Sequence, residues 1–155
     1  KDANLVRVMQ AQTKRKVGLI DYKTVALGAL AIRDRIAALR AEGVGVAVVD
    51  RSGLTQVFLR DRFAGAHTVD VATNKAWTAA SFRTSTLDLA TESQAGKPMS
   101  GIRSTPRMLA VGGGVVIEGG GSSFGGIGVS GAPGGDADHA CAPAGLKAIA
   151  DKIEF

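Results

Sequence analysis

The sequence predicts an α+β domain in which helices pack on the faces of a five-stranded antiparallel sheet. Segments with helical spacing of apolar residues are interspersed with short β-branched segments, and turn residues join neighbouring strand segments into hairpins. Glycine is concentrated late in the chain, with 12 of 21 glycines inside residues 112–135. Because hairpins outnumber strand–helix–strand crossovers, the sheet is expected to be antiparallel. A length of 155 residues with 45% hydrophobic content suits one domain with its own core.

Four segments have the composition and spacing of helices. Residues 21–42 begin with a capping aspartate, and their apolar positions 25, 29, 32, 36 and 39 form one stripe. Residues 68–82 present a face made almost wholly of small side chains, so this helix is expected to approach the sheet closely. Shorter or later helices are predicted at residues 85–93 and 136–152.

The predicted strands are short, apolar and bounded by glycine or polar turns. They comprise residues 44–49, 54–60, 108–111, 115–118 and 124–130. The turn at residues 50–53 closes the first hairpin. Residues 94–106 form a long loop rich in glycine, serine and proline, and loops of this length in a small domain are often functional.

Charge is unevenly distributed along the chain. Residues 1–40 hold nine basic and three acidic side chains, whereas the remaining residues sum to about −1. The basic run at residues 14–16 has no interleaved aromatic residues, so residues 1–20 are interpreted as a solvated basic arm or helix rather than a nucleic-acid site. No apolar run is long enough to insert into a membrane. The chain starts at Lys1, which favours removal of an export signal and a periplasmic or extracellular location over a cytoplasmic one.

Two glycine motifs match catalytic signatures only in their letters. Residues 126–131 read G-x-G-x-x-G, but they lie inside a predicted strand and not at a strand-to-helix turn that could bind a dinucleotide. Residues 121–125 read G-x-S-x-G, yet they join two strands, which a nucleophile elbow does not do. No catalytic residue is therefore predicted, and close packing of backbone is the preferred explanation of these glycines.

Metal-binding side chains are scarce. His67 and His139 are the only imidazoles and Cys141 is the only thiol, so one chain cannot supply a four-ligand structural zinc site. An axial position on a haem iron needs a single residue. His67 is the first choice for such a metal ligand and His139 the second. Cys141 is interpreted as a small buried apolar residue.

Four ordered blocks give the chain a specific resemblance to the GlcG/HbpS-like family. The last block is the glycine-rich tail, residues 126–136, followed by Asp138 and by residues 140–141 and 144–146. The other blocks are residues 46–50 with Gly53, residues 63–82 and residues 112–117. The likeness covers residues 21–150, so residues 21–155 are interpreted as a single domain of this type.

The resemblance implies a three-layer α/β/α, profilin-like fold with a five-stranded antiparallel sheet. It also implies a homo-oligomer, often an octamer, and for some members extracellular haem binding linked to redox sensing. Other relatives are fused to corrinoid adenosyltransferases, so a corrinoid-related accessory role is an alternative. No family-wide catalytic residue maps onto this chain.

These observations favour a non-enzymatic protein that binds haem or a related tetrapyrrole. A flat slot between the glycine strands and the alanine-rich helix is expected to hold the macrocycle, with His67 or His139 as axial ligand. Guanidinium groups pair well with propionates, and the candidates are Arg60, Arg62 and Arg103. An alternative is an enzyme acting on a small anionic organic molecule, with Lys97, Arg103 and Ser104 in the long loop. A scaffold that only assembles is a third interpretation.

Overall fold

The computed structural model describes residues 43–153. The predicted arm at residues 1–20 and the predicted helix at residues 21–42 lie outside the described residues. The elements in chain order are β1 (Gly45–Asp50), β2 (Thr55–Arg60), α1 (Thr68–Phe82), α2 (Thr86–Glu92), a 3-10 helix (Ser100–Ser104), β3 (Gly114–Gly119), β4 (Ser122–Ser130), α3 (Gly135–Lys147) and α4 (Ala150–Ile153). The predicted α+β class with an antiparallel sheet is confirmed.

Two hairpins build the sheet, whose strand order is β2-β1-β4-β3 with every neighbouring pair antiparallel. In the first hairpin, Asp50 fixes the turn: its backbone oxygen accepts from the Gly53 N–H at 2.9 Å, and its side chain accepts from Ser52 at 2.8 Å and Leu54 at 3.0 Å. The second turn needs positive φ at both central residues, Gly120 (55°) and Gly121 (74°). This geometry matches the twist of a tight hairpin.

The predicted fifth strand at residues 108–111 is wrong, and the sheet formed by the described residues has four strands. The Leu109 N–H instead donates to the Thr78 hydroxyl at 2.9 Å. Met108 and Ala110 are buried with Leu89. The segment therefore packs against helices.

Helices cover the two faces of the sheet. Ala47 and Val49 of β1 pack with buried alanines of α1, whereas Val46, one residue along, packs in the cluster that contains Cys141 and Ala142 of α3. Because successive strand residues point to opposite faces, α1 and α3 lie on opposite sides of the sheet. The small-residue face predicted for α1 is confirmed by the burial of Ala72, Ala76, Ala79 and Ala80, whereas Val69, which the same pattern placed on this face, is 39% exposed.

The last helical segment among the described residues differs slightly from the prediction. The single helix expected at residues 136–152 is divided into α3 and α4, with a break at residues 148–149. Buried Ile149 lies in this break and anchors the turn between the two helices. None of the helices in residues 43–153 combines the length and the hydropathy needed to span a bilayer.

Candidate functional site

Residues 60–67, called the 60–67 loop below, join β2 to α1. Asp61 organises its first half: the Asp61 N–H donates to the Val44 oxygen at 3.0 Å and so extends the β1–β2 pairing by one residue. The same aspartate accepts from the backbone of Phe63 at 2.7 Å through its side chain and of Ala64 at 3.1 Å through its carbonyl. A buried aspartate thus fixes the direction in which this half of the loop leaves the sheet.

The second half of the loop is tied to the start of α1. Thr68 donates to the Gly65 oxygen twice, from its N–H at 3.1 Å and from its hydroxyl at 2.8 Å. The guanidinium of Arg60 donates to the Ala64 oxygen. A side chain on Gly65 would place its Cβ 2.6 Å from Cε1 of His67, so the imidazole lies directly against the loop backbone. Both halves of the loop are therefore fixed by hydrogen bonds.

This fixed loop displays three side chains that suit a flat anionic ligand. Phe63 is 75% exposed, which is unusual for so large an apolar side chain, and the Arg62 guanidinium lies 4.4 Å from the centroid of its ring. His67 is exposed at the position before α1 and makes no capping hydrogen bond with its side chain. Aromatic faces stack on planar molecules, and guanidinium groups bind carboxylates.

The structure places the five predicted site residues in three separate regions. Arg60, Arg62 and His67 share the 60–67 loop. Arg103 lies in the 3-10 helix and donates to the Ser93 oxygen at 2.6 Å and the Ala90 oxygen at 3.0 Å, so it closes the end of α2.

His139 is the fifth residue of α3, and its Nδ1 is buried without a hydrogen-bond partner. The preceding residue, Asp138, pairs with Lys75, which is eight residues beyond His67 on α1. His67 and His139 thus belong to different elements, and they are alternatives for an axial ligand. Residues 43–153 contain no group of three or more histidine, cysteine or acidic side chains that could hold a metal ion.

The predicted slot between the glycine strands and the alanine-rich helix does not exist. A Cβ added to Gly126 would overlap the Ala76 oxygen, and one added to Gly128 would overlap the Ala72 oxygen. Because these glycines have no side chains, the α1 backbone contacts the β4 backbone directly. The predicted close approach is correct, but it leaves no space for a macrocycle between the two layers.

Sequence reasoning missed a buried ion pair in the core. The Lys75 ammonium, on a residue only 1% exposed, lies 2.6 Å from Oδ2 of Asp138 and also donates to the Val129 oxygen at 3.1 Å. The second oxygen of Asp138 accepts from the Ala132 N–H at 2.9 Å. This pair joins α1, the end of β4 and α3. Lys75 lies at helical spacing from the alanines of α1, so the sequence pattern places it on the helix face that was predicted to approach the sheet.

Gly113 closes the space above this ion pair. A Cβ on Gly113 would lie 2.6 Å from the Val129 oxygen, 2.8 Å from Cβ of Asp138 and 3.0 Å from the Lys75 ammonium. The glycine backbone thus covers both charges and leaves no room for a substrate beside them. The pair acts as a structural connection between layers and not as an accessible reaction centre.

Solved structures resemble this chain over most of its length. A double mutant of Streptomyces reticuli HbpS is 35% identical, covers 87% of this chain and 92% of its own, and has a TM-score of 0.71. Klebsiella pneumoniae protein ORFY is 27% identical, with coverage of 88% and 94% and a TM-score of 0.73. A PduOC:haem complex is 28% identical, with coverage of 85% and 95% and a TM-score of 0.72.

Curated relatives match a shorter part of the chain. The 3-oxo-tetronate kinase of Pseudomonas savastanoi pv. phaseolicola is 61% identical over 49 residues, which are 32% of this chain and 11% of the kinase. The corresponding kinase of Burkholderia multivorans is 62% identical over 50 residues, or 12% of its length. The chain thus spans about a ninth of the length of these kinases.

The family comparison covers far more of the chain. The model described as "Haem degrading protein HbpS-like" matches residues 21–147, which is most of the sequence and includes the sheet, both covering helices and the 60–67 loop. The resemblance inferred from the four sequence blocks is thereby confirmed, and the chain belongs to the HbpS-like family.

Proposed function

We propose that this chain is a non-enzymatic haem-binding protein. The observation that carries the proposal is its similarity, over 85% of its length, to a protein solved as a haem complex, together with its membership of the HbpS-like family. Fold alone does not specify function, so the proposal also needs a surface with suitable chemistry. The 60–67 loop supplies one.

The side chains of the 60–67 loop fit a haem by their chemistry. Phe63 offers an exposed aromatic face to the macrocycle, and Arg62 offers a charged group to a propionate. His67 has an imidazole free of a capping bond, which would hold the iron. Bound haem supplies an iron with axial coordination positions. Arg60 already donates to the Ala64 oxygen, so its role is to fix the loop as well as to add positive charge.

The predicted assembly and role in redox sensing or haem handling belong to the same proposal. We propose a homo-oligomer, with an octamer as the predicted size. Exposed large apolar side chains outside the 60–67 loop support an interface, notably Leu54 at 65% and Val111 at 42% exposure. A corrinoid is the alternative tetrapyrrole, because its macrocycle also holds a metal ion whose axial position the imidazole of the same loop would fill.

Haemin titration tests the proposal. We expect the full chain to shift the Soret band of haemin, and the His67→Ala variant to weaken binding by about tenfold or more because one axial bond is lost. The His139→Ala variant should bind as the parent does, because His139 belongs to α3 and not to the 60–67 loop. Phe63→Ala should weaken binding less than His67→Ala.

Three results would change this assignment. No Soret shift with the parent chain would end the haem proposal. Loss of binding in His139→Ala with retention in His67→Ala would move the site to the start of α3. If His67→Ala, His139→Ala and the double variant all bound haemin as tightly as the parent chain, haem would be bound without either histidine. That result would refute the proposed axial ligands.

A second candidate function is binding of a small sugar acid, and the similarity to 3-oxo-tetronate kinases favours it. The predicted residues for such an anion are Lys97, Arg103 and Ser104, which are all exposed. Arg103 has two of its donors committed to α2, but a guanidinium carries five.

Thermal unfolding in the presence of threonate, a four-carbon sugar acid, tests this second candidate. We expect a rise in the melting temperature at millimolar threonate that is lost in Lys97→Ala, because binding to the folded state alone stabilises it. Sodium chloride at equal ionic strength is the control. An equal rise with chloride, or an unchanged rise in Lys97→Ala, would contradict it.

A further inference from the structure

Strand β3 lies at the edge of the sheet, and a groove of about 490 Å³ runs along its outer side. The other wall is formed by the end of α3 and by α4. The apolar part of the lining comes from Val116, Leu146, Ala150 and Ile153, and the charged part from Glu118 and Lys147, with Gly119, Gly120 and Gly121 at the hairpin turn. The volume is in the range of ordinary ligand sites.

The register of β3 determines which backbone groups point into this groove. In an antiparallel pair, residues alternate between those that bond to the partner strand and those that point away from it. The Val129 N–H donates to the Gly113 oxygen at 2.9 Å, so Gly113 and Val115 bond toward β4. The N–H and C=O groups of Gly114 and Val116 therefore point outward, away from the sheet.

The outward-pointing backbone groups of Gly114 and Val116 differ in their hydrogen bonding. Gly114 is satisfied by the hydroxyl of Thr86, which accepts from its N–H at 2.8 Å and donates to its oxygen at 3.4 Å. The backbone of Val116 has no such partner among residues 43–153, although the residue is half-buried in the groove wall. An unpaired donor and acceptor in a partly apolar groove are costly, and an added strand satisfies both.

We propose that this groove binds an extended peptide segment, which adds as a short fifth strand beside β3 and pairs with the backbone of Val116. The accessible part of the edge is short, since Thr86 occupies one end and the Ile153 oxygen lies against Gly119 at the other. A single extended segment fits between these flanks. A second folded copy would have to bring an edge that is recessed between the same two flanks.

The side chains of the groove define the chemistry of this peptide. Alternate residues of an added strand face Leu146 and Ile153 and are therefore apolar. The exposed charges of Glu118 and Lys147 favour a peptide with a basic and an acidic residue placed to meet them. The main-chain bonds provide affinity, and these side chains provide selectivity.

The test uses the full chain and a labelled, capped hexapeptide in which valine alternates with threonine between a lysine and a glutamate. We expect saturable binding by fluorescence anisotropy. The same peptide with N-methyl groups on its alternate amides should bind about tenfold more weakly or worse, because it cannot donate to the edge. Equal binding of the two peptides would overturn strand addition and leave only apolar contact.

Two substitutions of Val116 distinguish the contribution of its backbone N–H to peptide binding from the contribution of its side chain. Val116→Pro removes the outward N–H without removing a bond to β4, and proline is tolerated on edge strands in this orientation. We expect it to lose peptide binding by about tenfold or more, whereas Val116→Ala should lose much less. Circular dichroism and a cooperative thermal transition report that each variant is folded.

Two outcomes would refute the proposed occupant. Unchanged peptide binding in folded Val116→Pro would place the peptide elsewhere. Concentration-dependent self-association that Val116→Pro abolishes, with no peptide binding by the parent, would assign the edge to a second copy of the chain. If Val116→Pro fails to fold, Lys147→Glu keeps the test open, because it reverses an exposed charge of the groove wall on α3 without entering the core. Unchanged binding of the hexapeptide by Lys147→Glu would then place the peptide elsewhere.

Discussion

Replacing Lys75 with methionine is expected to lower the free energy of unfolding by about 3–5 kcal/mol, a large fraction of the stability of a small domain. The substitution destabilises the fold because it leaves the negative charge of Asp138 buried without its partner. Asp138 is 4% exposed and loses the ammonium 2.6 Å from Oδ2, while the Val129 oxygen loses a donor. A buried carboxylate without its partner cannot recover hydration, because Gly113 covers the site.

Urea unfolding of a set of variants tests this expectation. Asp138→Asn should be similarly destabilised, since it leaves the ammonium of Lys75 without its counter-charge. The double variant Lys75→Met with Asp138→Asn should be destabilised by less than the sum of the two single changes, because no buried charge is left. Lys97→Met, at an exposed position, is the control and should change the free energy by less than about 0.5 kcal/mol. Additive single and double changes would show that the two side chains are not coupled.

Much of the fold could be predicted because its signals are local. The Asp50–Gly53 turn, the alanine-rich face of α1 and the paired glycines at residues 120–121 each specify structure within a few residues. The segment at residues 108–111 is the informative failure. Its apolar composition suits a strand, but composition does not show which partner its backbone meets, and a hydroxyl on α1 accepts from the Leu109 N–H.

The candidate site shows the same division. Arg60, Arg62 and His67 share one loop because they lie within eight positions of each other in the sequence, so sequence reasoning could group them. Arg103 and His139 were added on residue type alone, and the structure places them at the ends of other helices. The Lys75–Asp138 pair spans 63 positions, and no local pattern predicts which aspartate meets a lysine in a buried face.

The glycines of β4 are expected to be as sensitive as the ion pair. Substituting Gly128 with alanine should destabilise the fold by about 3 kcal/mol or more, because the new methyl group would overlap the Ala72 oxygen and also approach the Ala76 nitrogen to 2.6 Å. Both are backbone atoms in the middle of α1, so they cannot rotate aside as a side chain does. The helix would have to move away from the sheet and lose packing along its buried alanines.

Two opposing effects decide whether a glycine-to-alanine substitution raises or lowers the free energy of unfolding, and these effects differ in size. Removing a glycine stabilises by about 0.4–1 kcal/mol, because the unfolded chain has less freedom to lose. Gly101 shows this effect alone: a Cβ there meets nothing within 4 Å. Gly101→Ala should therefore be neutral or slightly stabilising in urea unfolding, whereas Gly128→Ala should be strongly destabilised. Equal stability of the two variants would mean that α1 does not lie on the β4 backbone, and the closed interface that excludes a ligand between these layers would be wrong.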